Sequence, residues 1–289
     1  MSNTKFRLSL GRIFAREGGA ARIKTMTMRA VAHAYDRYYR IGLYRKRYPS
    51  ANPKVLKILR QLCQSFEPEQ VILDFGCGWG RYLLPLRQLT QATLIGHDIS
   101  EVALSQLHHQ LKGLSSTCEP VLLTHNEAEL KIQLDLYTGA SLIYLLFGVL
   151  AHIPSRAQRE YTLRFLYQQL DPLQGRMVLS VPNRYRRFLR LQLWGWLKKR
   201  FNRSADIVYS REDSGQLITL PYHLYSPAEF IAELQSAGFE IERFEAESLF
   251  SEHGILHYPF LGTVDRCLCK LMPVCLGYGL LAVVRKKTI

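Results

Sequence analysis

Residues 71–81 read VILDFGCGWGR, an apolar run that ends in an acid and continues with glycine at every second position. The apolar run predicts a buried strand, because near-continuous aliphatic residues are typical of strands covered on both faces. Gly76, Gly78 and Gly80 then predict a turn whose backbone can approach a ligand beside a helix N-terminus. The stretch therefore predicts a strand, a ligand-binding turn and the beginning of a helix.

Around this stretch the chain alternates between strand and helix patterns. Strands are predicted at 70–76, 92–100, 119–126, 141–148 and 176–183, with helices at 28–48, 53–66, 80–90, 101–112 and 155–170. This alternation predicts an α/β fold with a doubly wound parallel sheet. The pattern stops after residue 183 for about 40 residues, longer than an ordinary connection. It resumes at a helix capped by Ser226, followed by strands at 239–248 and 278–286.

The chain has 289 residues, of which 47% are hydrophobic, enough for one sizeable core with extensions. Its net charge of +14 is concentrated in residues 1–60, which hold 15 lysines and arginines against two acids. A second basic segment lies between Asp171 and Asp206, where no acid occurs. Two basic surfaces are therefore expected.

No apolar run reaches the roughly 18 residues that a transmembrane helix needs. The six cysteines are scattered and no cleavable apolar leader is visible, so the cytoplasm is the predicted compartment. An organelle transit segment at the basic beginning is an open alternative. Cys267, Cys269 and Cys275 lack the paired partners of a zinc site, and no metal is predicted.

The acid before the turn favours a cationic ligand. A dinucleotide-binding turn has its third glycine one position later and has no acid ahead of the first. Here Asp74 precedes Gly76 by two positions, and its carboxylate would repel a pyrophosphate. The turn is therefore better suited to a ligand whose near end is positively charged.

The stretch DFGCGWG at 74–80 resembles the first motif of the class I S-adenosyl-L-methionine (SAM) dependent methyltransferases, acid-x-Gly-x-Gly-x-Gly. The resemblance covers residues 70–286. It implies a Rossmann-like doubly wound sheet of seven strands whose last strand is antiparallel, with SAM as cofactor. It further implies that Asp74 orients the methionine amino group and that Asp98, in GHDIS, binds the two ribose hydroxyls.

Other cofactor contacts follow from the same resemblance. The adenine-binding turn corresponds to THNEAEL, where Asn126 and Glu127 are alternatives, and GVLAHIP corresponds to the stretch after the fourth strand. Ser141 replaces an acid that many members carry before that strand. The predicted cofactor-binding residues are Asp74, Gly76, Cys77, Gly78, Gly80, Asp98, Ile99, Asn126, Glu127, Phe147 and Gly148.

Methyl transfer from a sulfonium is an in-line displacement, so the protein must align the acceptor and remove a proton where the nucleophile carries one. His152 follows the fourth strand and is the predicted general base, with packing or helix capping as the alternative. The predicted acceptor contacts are Tyr35, Tyr39, Tyr44, His152, Tyr222 and His223. For each of these residues taken alone, ordinary side-chain packing is the alternative explanation.

The predicted organisation is a basic, tyrosine-rich extension, 1–66, which acts as a lid or contacts the acceptor, and a SAM-binding core, 67–289. An insertion at 184–225 follows the fifth strand. The favoured acceptor is a small molecule. RNA binding through 1–60 and 184–203 is a second hypothesis, since basic segments with aromatics suit phosphates and unpaired bases.

Two further hypotheses stay open. Residues 187–200 combine Trp194 and Trp196 with basic flanks, as an interfacial helix at a membrane surface does, so the acceptor would be a lipid or a quinone-like molecule. In the other, the chain is a SAM-binding partner subunit without activity of its own. The intact first motif argues against loss of cofactor binding.

Overall fold

The computed structural model describes residues 13–14, 26–113, 122–189, 192, 205–213 and 216–287. Residues 1–12 and 15–25 of the basic N-terminal extension therefore lie outside the described residues. Residues 190–191 and 193–204 also lie outside them, and with them most of 184–203 and most of the predicted membrane-surface segment 187–200.

The strands form two sheets. They are β1 (Ile13–Phe14), β2 (Val71–Phe75), β3 (Thr93–His97), β4 (Leu122–Thr124), β5 (Leu142–Leu145), β6 (Arg176–Pro182), β7 (Asp206–Asp213), β8 (Gln216–His223), β9 (Phe239–Ser248) and β10 (Gly279–Lys286). The larger sheet has seven strands in the order β4-β3-β2-β5-β6-β10-β9, and β10 runs antiparallel to both neighbours. The predicted seven-stranded sheet with an antiparallel last strand is confirmed.

Ten helices of the described residues surround the sheets. They are α1 (Met28–Arg40), α2 (Leu43–Arg47), α3 (Pro53–Cys63), α4 (Leu83–Arg87), α5 (Glu101–Lys112), α6 (Glu127–Asp135), α7 (Arg156–Gln169), α8 (Pro227–Ser236), α9 (Glu252–His257) and α10 (Pro259–Leu271). Serine side chains at 100, 155 and 226 accept backbone N–H groups and so begin α5, α7 and α8. In the described part of the chain, no helix has the length and apolar character to cross a membrane.

Both faces of the larger sheet are buried, as the aliphatic strands predict. Leu73 and Ile143 point into one apolar cluster, whereas their neighbours Ile72 and Leu142 point into a second cluster on the opposite face. The strand order reverses between β2 and β5. This is the position where doubly wound sheets bind ligands, and the turn after β2 lies there.

Local backbone geometry explains two differences from the predicted elements. The helix predicted at 80–90 is only α4, because the left-handed turn continues to Gly80, whose φ is 88°. The helical segment predicted at 28–48 is divided into α1 and α2 at Gly42, whose φ is 68°. Left-handed backbone ends a right-handed helix, and glycine adopts it without steric cost.

The insertion contains a second sheet that the sequence patterns did not predict. Strands β7 and β8 form an antiparallel hairpin, and β1 pairs with β7. Helix α1 packs on β8 and on α5, and β8 also packs on a short 3-10 helix, Leu150–His152. The N-terminal helix and the hairpin therefore cover the carboxyl edge of the larger sheet together.

Candidate functional site

The glycine turn, residues 76–80, is left-handed at each glycine. Gly76, Gly78 and Gly80 have φ values of 91°, 53° and 88°. A Cβ atom on Gly78 would overlap the hydroxyl of Tyr39, and one on Gly80 would overlap Leu107. At Gly78 and Gly80 the absence of a side chain therefore makes room for other protein side chains. Gly76 is the glycine of the turn that lines the cavity described below.

Asp98 is held at the end of β3 by two backbone donors. Its Oδ2 accepts the Gly78 N–H at 2.7 Å, and its Oδ1 accepts the Ser100 N–H at 2.8 Å. Burial raises the pKa of Asp98 to about 6, the two N–H donors lower it, and the nearby Asp36 raises it. Each oxygen retains a second lone pair, so the carboxylate can accept two ligand hydroxyls.

Asp74 lies beneath the turn. Its side chain is buried, and it does not line the cavity. Burial raises the pKa of Asp74, the Tyr144 hydroxyl on the adjacent strand lowers it, and Asp98 raises it. An effect of Asp74 on a cationic ligand would therefore act through the backbone of the turn or through water.

A cavity of about 450 Å³ lies between the sheet edge, α1 and the hairpin. One end, which we call the cofactor half, is lined by Gly76, Asp98, Ile99, Glu127 and Phe147 from the predicted set, together with His97 and His125. Its charged lining consists of two acids, and both arginines of the cavity lie in the other half. The donor and acceptor chemistry of this half fits SAM, whose ribose offers hydroxyls and whose methionine end is cationic.

The remaining predicted cofactor residues support the site from outside the cavity. Cys77 packs in the apolar cluster beneath β2, and Asn126 caps α6 by accepting the Ala128 N–H at 2.9 Å. Of the two alternatives for the adenine turn, Glu127 is therefore the one that lines the cavity. Gly148 also lies outside the lining and faces Tyr222.

Phe147 has a left-handed backbone, with φ of 59°, which is rare for a bulky residue. Its N–H donates to the Ser180 hydroxyl at 2.7 Å, and its ring meets Tyr48 edge-on at 4.4 Å between centroids. Strained backbone of this kind costs about 1–3 kcal/mol and clusters at functional sites. The Phe147 ring thereby forms an aromatic wall of the cofactor half and contacts Tyr44 and Tyr48, which line the other end of the cavity.

The other end of the cavity is an aromatic chamber, lined by Tyr35, Tyr38, Tyr44, Tyr48, His152, Arg187, Phe188, Tyr209, Arg211 and Tyr222. Tyr35, Tyr44, His152 and Tyr222 were predicted to contact the acceptor, and the structure brings them together here. Tyr39 also lines the cavity but lies over the glycine turn.

His152 is 9% exposed and has a defined tautomer. Its Nδ1 lies 2.8 Å from the Pro221 carbonyl oxygen, which can only accept, so Nδ1 carries the proton and Nε2 the lone pair. Burial lowers the pKa of His152 to about 3, the Pro221 carbonyl raises it, and Arg211 and Arg187 lower it. The imidazole is therefore neutral at physiological pH, with an unprotonated Nε2.

His223, a predicted acceptor contact, lies outside the cavity lining. Its Nδ1 is 2.6 Å from Asp206 Oδ1 and its Nε2 is 3.0 Å from Glu229 Oε1. Burial lowers the pKa of His223, but these two carboxylates raise it overall. Successive residues of a strand point to opposite faces, so Tyr222 points inward and His223 outward.

Several chamber residues were not predicted individually. Tyr209 and Arg211 lie on β7, and Arg187 and Phe188 lie in the loop after β6. Arg187 and Phe188 belong to the acid-free basic segment, for which the sequence predicts only a basic surface. Tyr209 and Arg211 follow Asp206 and have no such signal, and their alternate positions along β7 bring them to the same face.

Comparison with known families agrees with this geometry. Residues 44–243 match the Methyltransferase domain family, which is more than half of the chain. No curated protein is significantly similar in sequence to this chain.

Solved methyltransferase structures share the fold at low identity. A SAM-dependent methyltransferase from Methanosarcina mazei is 16% identical, with a TM-score of 0.56 over 83% of this chain and 100% of its own. The methyltransferase CcbJ from Streptomyces caelestis is 16% identical, with a TM-score of 0.53 over 80% of this chain and 93% of its own. The glycopeptide N-methyltransferase MtfA, solved with SAM, is 12% identical, with a TM-score of 0.50 over 82% and 95%.

At such identities these likenesses concern the fold alone. The matched domain, the strand order and the glycine turn that ends β2 point in one direction. The chain belongs to the class I SAM-dependent methyltransferases.

Proposed function

We propose that the protein transfers a methyl group from SAM to a small molecule held in the aromatic chamber, with His152 as the general base. The observation that carries this proposal is the burial of a neutral, singly hydrogen-bonded histidine in a cavity that joins the chamber to the cofactor half. The volume of about 450 Å³ lies within the range of small-molecule sites. The cover formed by α1 and the hairpin favours such an acceptor over a nucleic acid.

SAM supplies an electrophilic methyl group on a sulfonium when it is bound. The chain contributes the Asp98 carboxylate for the ribose hydroxyls and the left-handed turn for the methionine end. On the acceptor side the rings of Tyr35 and Tyr222 lie 5.4 and 4.7 Å from the His152 ring. Both rings limit the space beside the imidazole, and in this proposal the protein acts mainly by alignment.

His152 removes the acceptor proton in this proposal. The Pro221 carbonyl fixes the ring through Nδ1, so Nε2 is the nitrogen that receives the proton. The same carbonyl stabilises the imidazolium that forms. The burial that keeps the ring neutral also excludes water, which would otherwise compete with the acceptor for the base.

We expect His152→Ala to lower kcat by about 10²-fold, which is the lower range for general-base catalysis, with unchanged affinity for S-adenosylhomocysteine (SAH). The measurement is SAH release with a panel of phenols and amines, together with calorimetry of SAH. His223→Gln is the matched control and should retain kcat, because His223 lies outside the cavity lining. Equal kcat in wild type and His152→Ala would remove His152 from the mechanism.

The affinity for SAH should decrease as the pH is lowered. Burial places the pKa of Asp98 at about 6, and the carboxylate that accepts two hydroxyls is the form above that value. At pH 5 about one tenth of the sites remain ionised, so Kd should rise about tenfold relative to pH 7.5. The raised pKa of Asp74 acts in the same direction. Calorimetry across this range should show the tenfold change in wild type, and Asp98→Ala should show only the smaller change that Asp74 contributes.

A further inference from the structure

Arg211 lies in the wall of the aromatic chamber with its charge poorly compensated. It is 9% exposed, and its Nε and Nη1 have no hydrogen-bond partner among the described residues. Its hydrogen-bonding neighbour is the neutral hydroxyl of Tyr209. A buried guanidinium without a carboxylate is costly, because burial removes the water that would solvate the charge.

A second guanidinium lines the same chamber. Arg187 stacks on Tyr278, with 4.0 Å between Cζ and the ring centroid, and its Nε donates to the Tyr278 carbonyl oxygen at 3.4 Å. The carboxylates that line the cavity, among described residues, are Asp98 and Glu127, and both lie in the cofactor half. Glu247 is near Arg187 but outside the lining, and burial raises its pKa to about 7, so at neutral pH it is only partly ionised.

The two arginines therefore give the chamber a positive potential, which shifts the pKa values of neighbouring groups. Burial by itself would raise the pKa of Tyr48, but Arg211, Arg47 and Arg187 lower it overall. The same Arg211 and Arg187 contribute to the low pKa of His152. An anion in the chamber would be attracted to both arginines.

We propose that the methyl acceptor is an organic acid whose carboxylate lies against Arg211 and Arg187, with an aromatic body among the chamber tyrosines. This inference rests on the proposed function, since it names the acceptor class for that site. A carboxylate supplies the missing counter-charge, and the tyrosine rings favour an aromatic body. Tyr209 lies close to both the proposed base and the proposed carboxylate site. Its ring centroid is 6.1 Å from that of His152 and 5.0 Å from Arg211 Cζ.

Binding of such an acid would also prepare the base. Arg211 and Arg187 oppose protonation of His152 while the chamber lacks an anion. A carboxylate beside them offsets their charge, so the pKa of His152 rises towards the range in which a histidine is an effective base. The acceptor would thereby activate its own deprotonation.

The test compares acids with neutral partners of the same shape on the SAH complex. The probes are 4-hydroxybenzoate with 4-hydroxybenzamide and benzoate with benzamide, and Kd is measured by calorimetry. We expect each acid to bind at least about tenfold more tightly than its amide, and the difference to disappear in Arg211→Met. Arg211→Lys should retain part of it, because the charge remains.

A second readout does not require a ligand. Removing an uncompensated buried charge should leave Tm unchanged or raise it, so Arg211→Met should be at least as stable as wild type. Arg159→Met is the matched control and should lower Tm, because Arg159 is 3% exposed and pairs with Glu233 at 3.3 Å. A large loss of Tm in Arg211→Met would mean that the protein itself neutralises the arginine.

The outcomes separate this inference from the proposed function. In one outcome the protein binds SAH, but the acids bind no better than their amides or neither binds. This result would contradict the acid acceptor and leave the assignment as a methyltransferase unaffected. Loss of SAH binding in wild type would contradict the proposed function itself. Tighter binding of the acids that persists in Arg211→Met would overturn the assignment of Arg211.

Discussion

Asp98→Ala is expected to weaken SAH binding by about 10²–10⁴-fold. Hydrogen bonds to a charged group contribute about 1.5–3 kcal/mol each, so two ribose hydroxyls account for about 3–6 kcal/mol. The Gly78 and Ser100 N–H groups orient the carboxylate before the ligand arrives, at 2.7 and 2.8 Å from its oxygens. No reorganisation is then needed on binding, and the whole of this energy depends on one side chain.

The measurement is calorimetry with SAH at pH 8, where Asp98 is ionised. Asp135→Ala is the matched control, because Asp135 lies on α6 with a half-exposed ion pair to Lys131 and should leave Kd unchanged. The Gly78 and Ser100 donors freed in Asp98→Ala face the cavity side, where water can replace the carboxylate, so Tm should change little. A Kd within threefold of wild type would show that the cofactor half has been assigned to the wrong ligand.

The parts of the fold and site that could be predicted are those encoded in short contiguous stretches. The strand ending in Asp74, the glycine turn and Asp98 each depend on residues a few positions apart, and the structure places Gly76 and Asp98 on one cavity. Helix α5 and strand β9 have the predicted boundaries, because a serine cap and a regular apolar pattern mark them locally.

The acceptor side could not be predicted in the same way, because its residues meet through long-range packing. Arg187 lies in the loop after β6 and Arg211 lies on β7, and nothing local in the sequence indicates that both will line one chamber. Tyr222 and His223 are adjacent, and which of them faces the cavity depends on the register of β8 with β7. The left-handed backbone of Phe147 likewise depends on the Ser180 hydroxyl, 33 positions away.

Arg81 is a further example, and it leads to the largest expected effect on stability. Its position directly after the glycine turn gives no indication in the sequence of the partner that it binds. In the structure its guanidinium forms a buried ion pair with Glu252, and both side chains are 5% exposed. Arg81 Nε also donates to the Ser50 carbonyl oxygen at 2.6 Å, and Asn52 Nδ2 donates to Glu252 Oε2 at 3.0 Å. The pair thus connects the glycine turn, the beginning of α3 and α9.

Glu252→Ala is expected to lower the free energy of unfolding by about 3–5 kcal/mol, because it leaves the Arg81 guanidinium buried without a counter-ion. Urea unfolding followed by circular dichroism measures the loss. Glu240→Ala is the matched control, since its pair with Arg285 is substantially exposed and should contribute about 1 kcal/mol or less.

The double variant Arg81→Met with Glu252→Leu should recover most of that loss, because apolar residues of similar volume remove the uncompensated charge together with its partner. Arg81 Cζ also lies 4.7 Å from the centroid of the Phe147 ring. The double variant should therefore fold stably yet bind SAH less tightly, since the wall formed by Phe147 loses its cationic support. If Glu252→Ala lost no more stability than Glu240→Ala, the ion pair would not be what holds α9 against the turn.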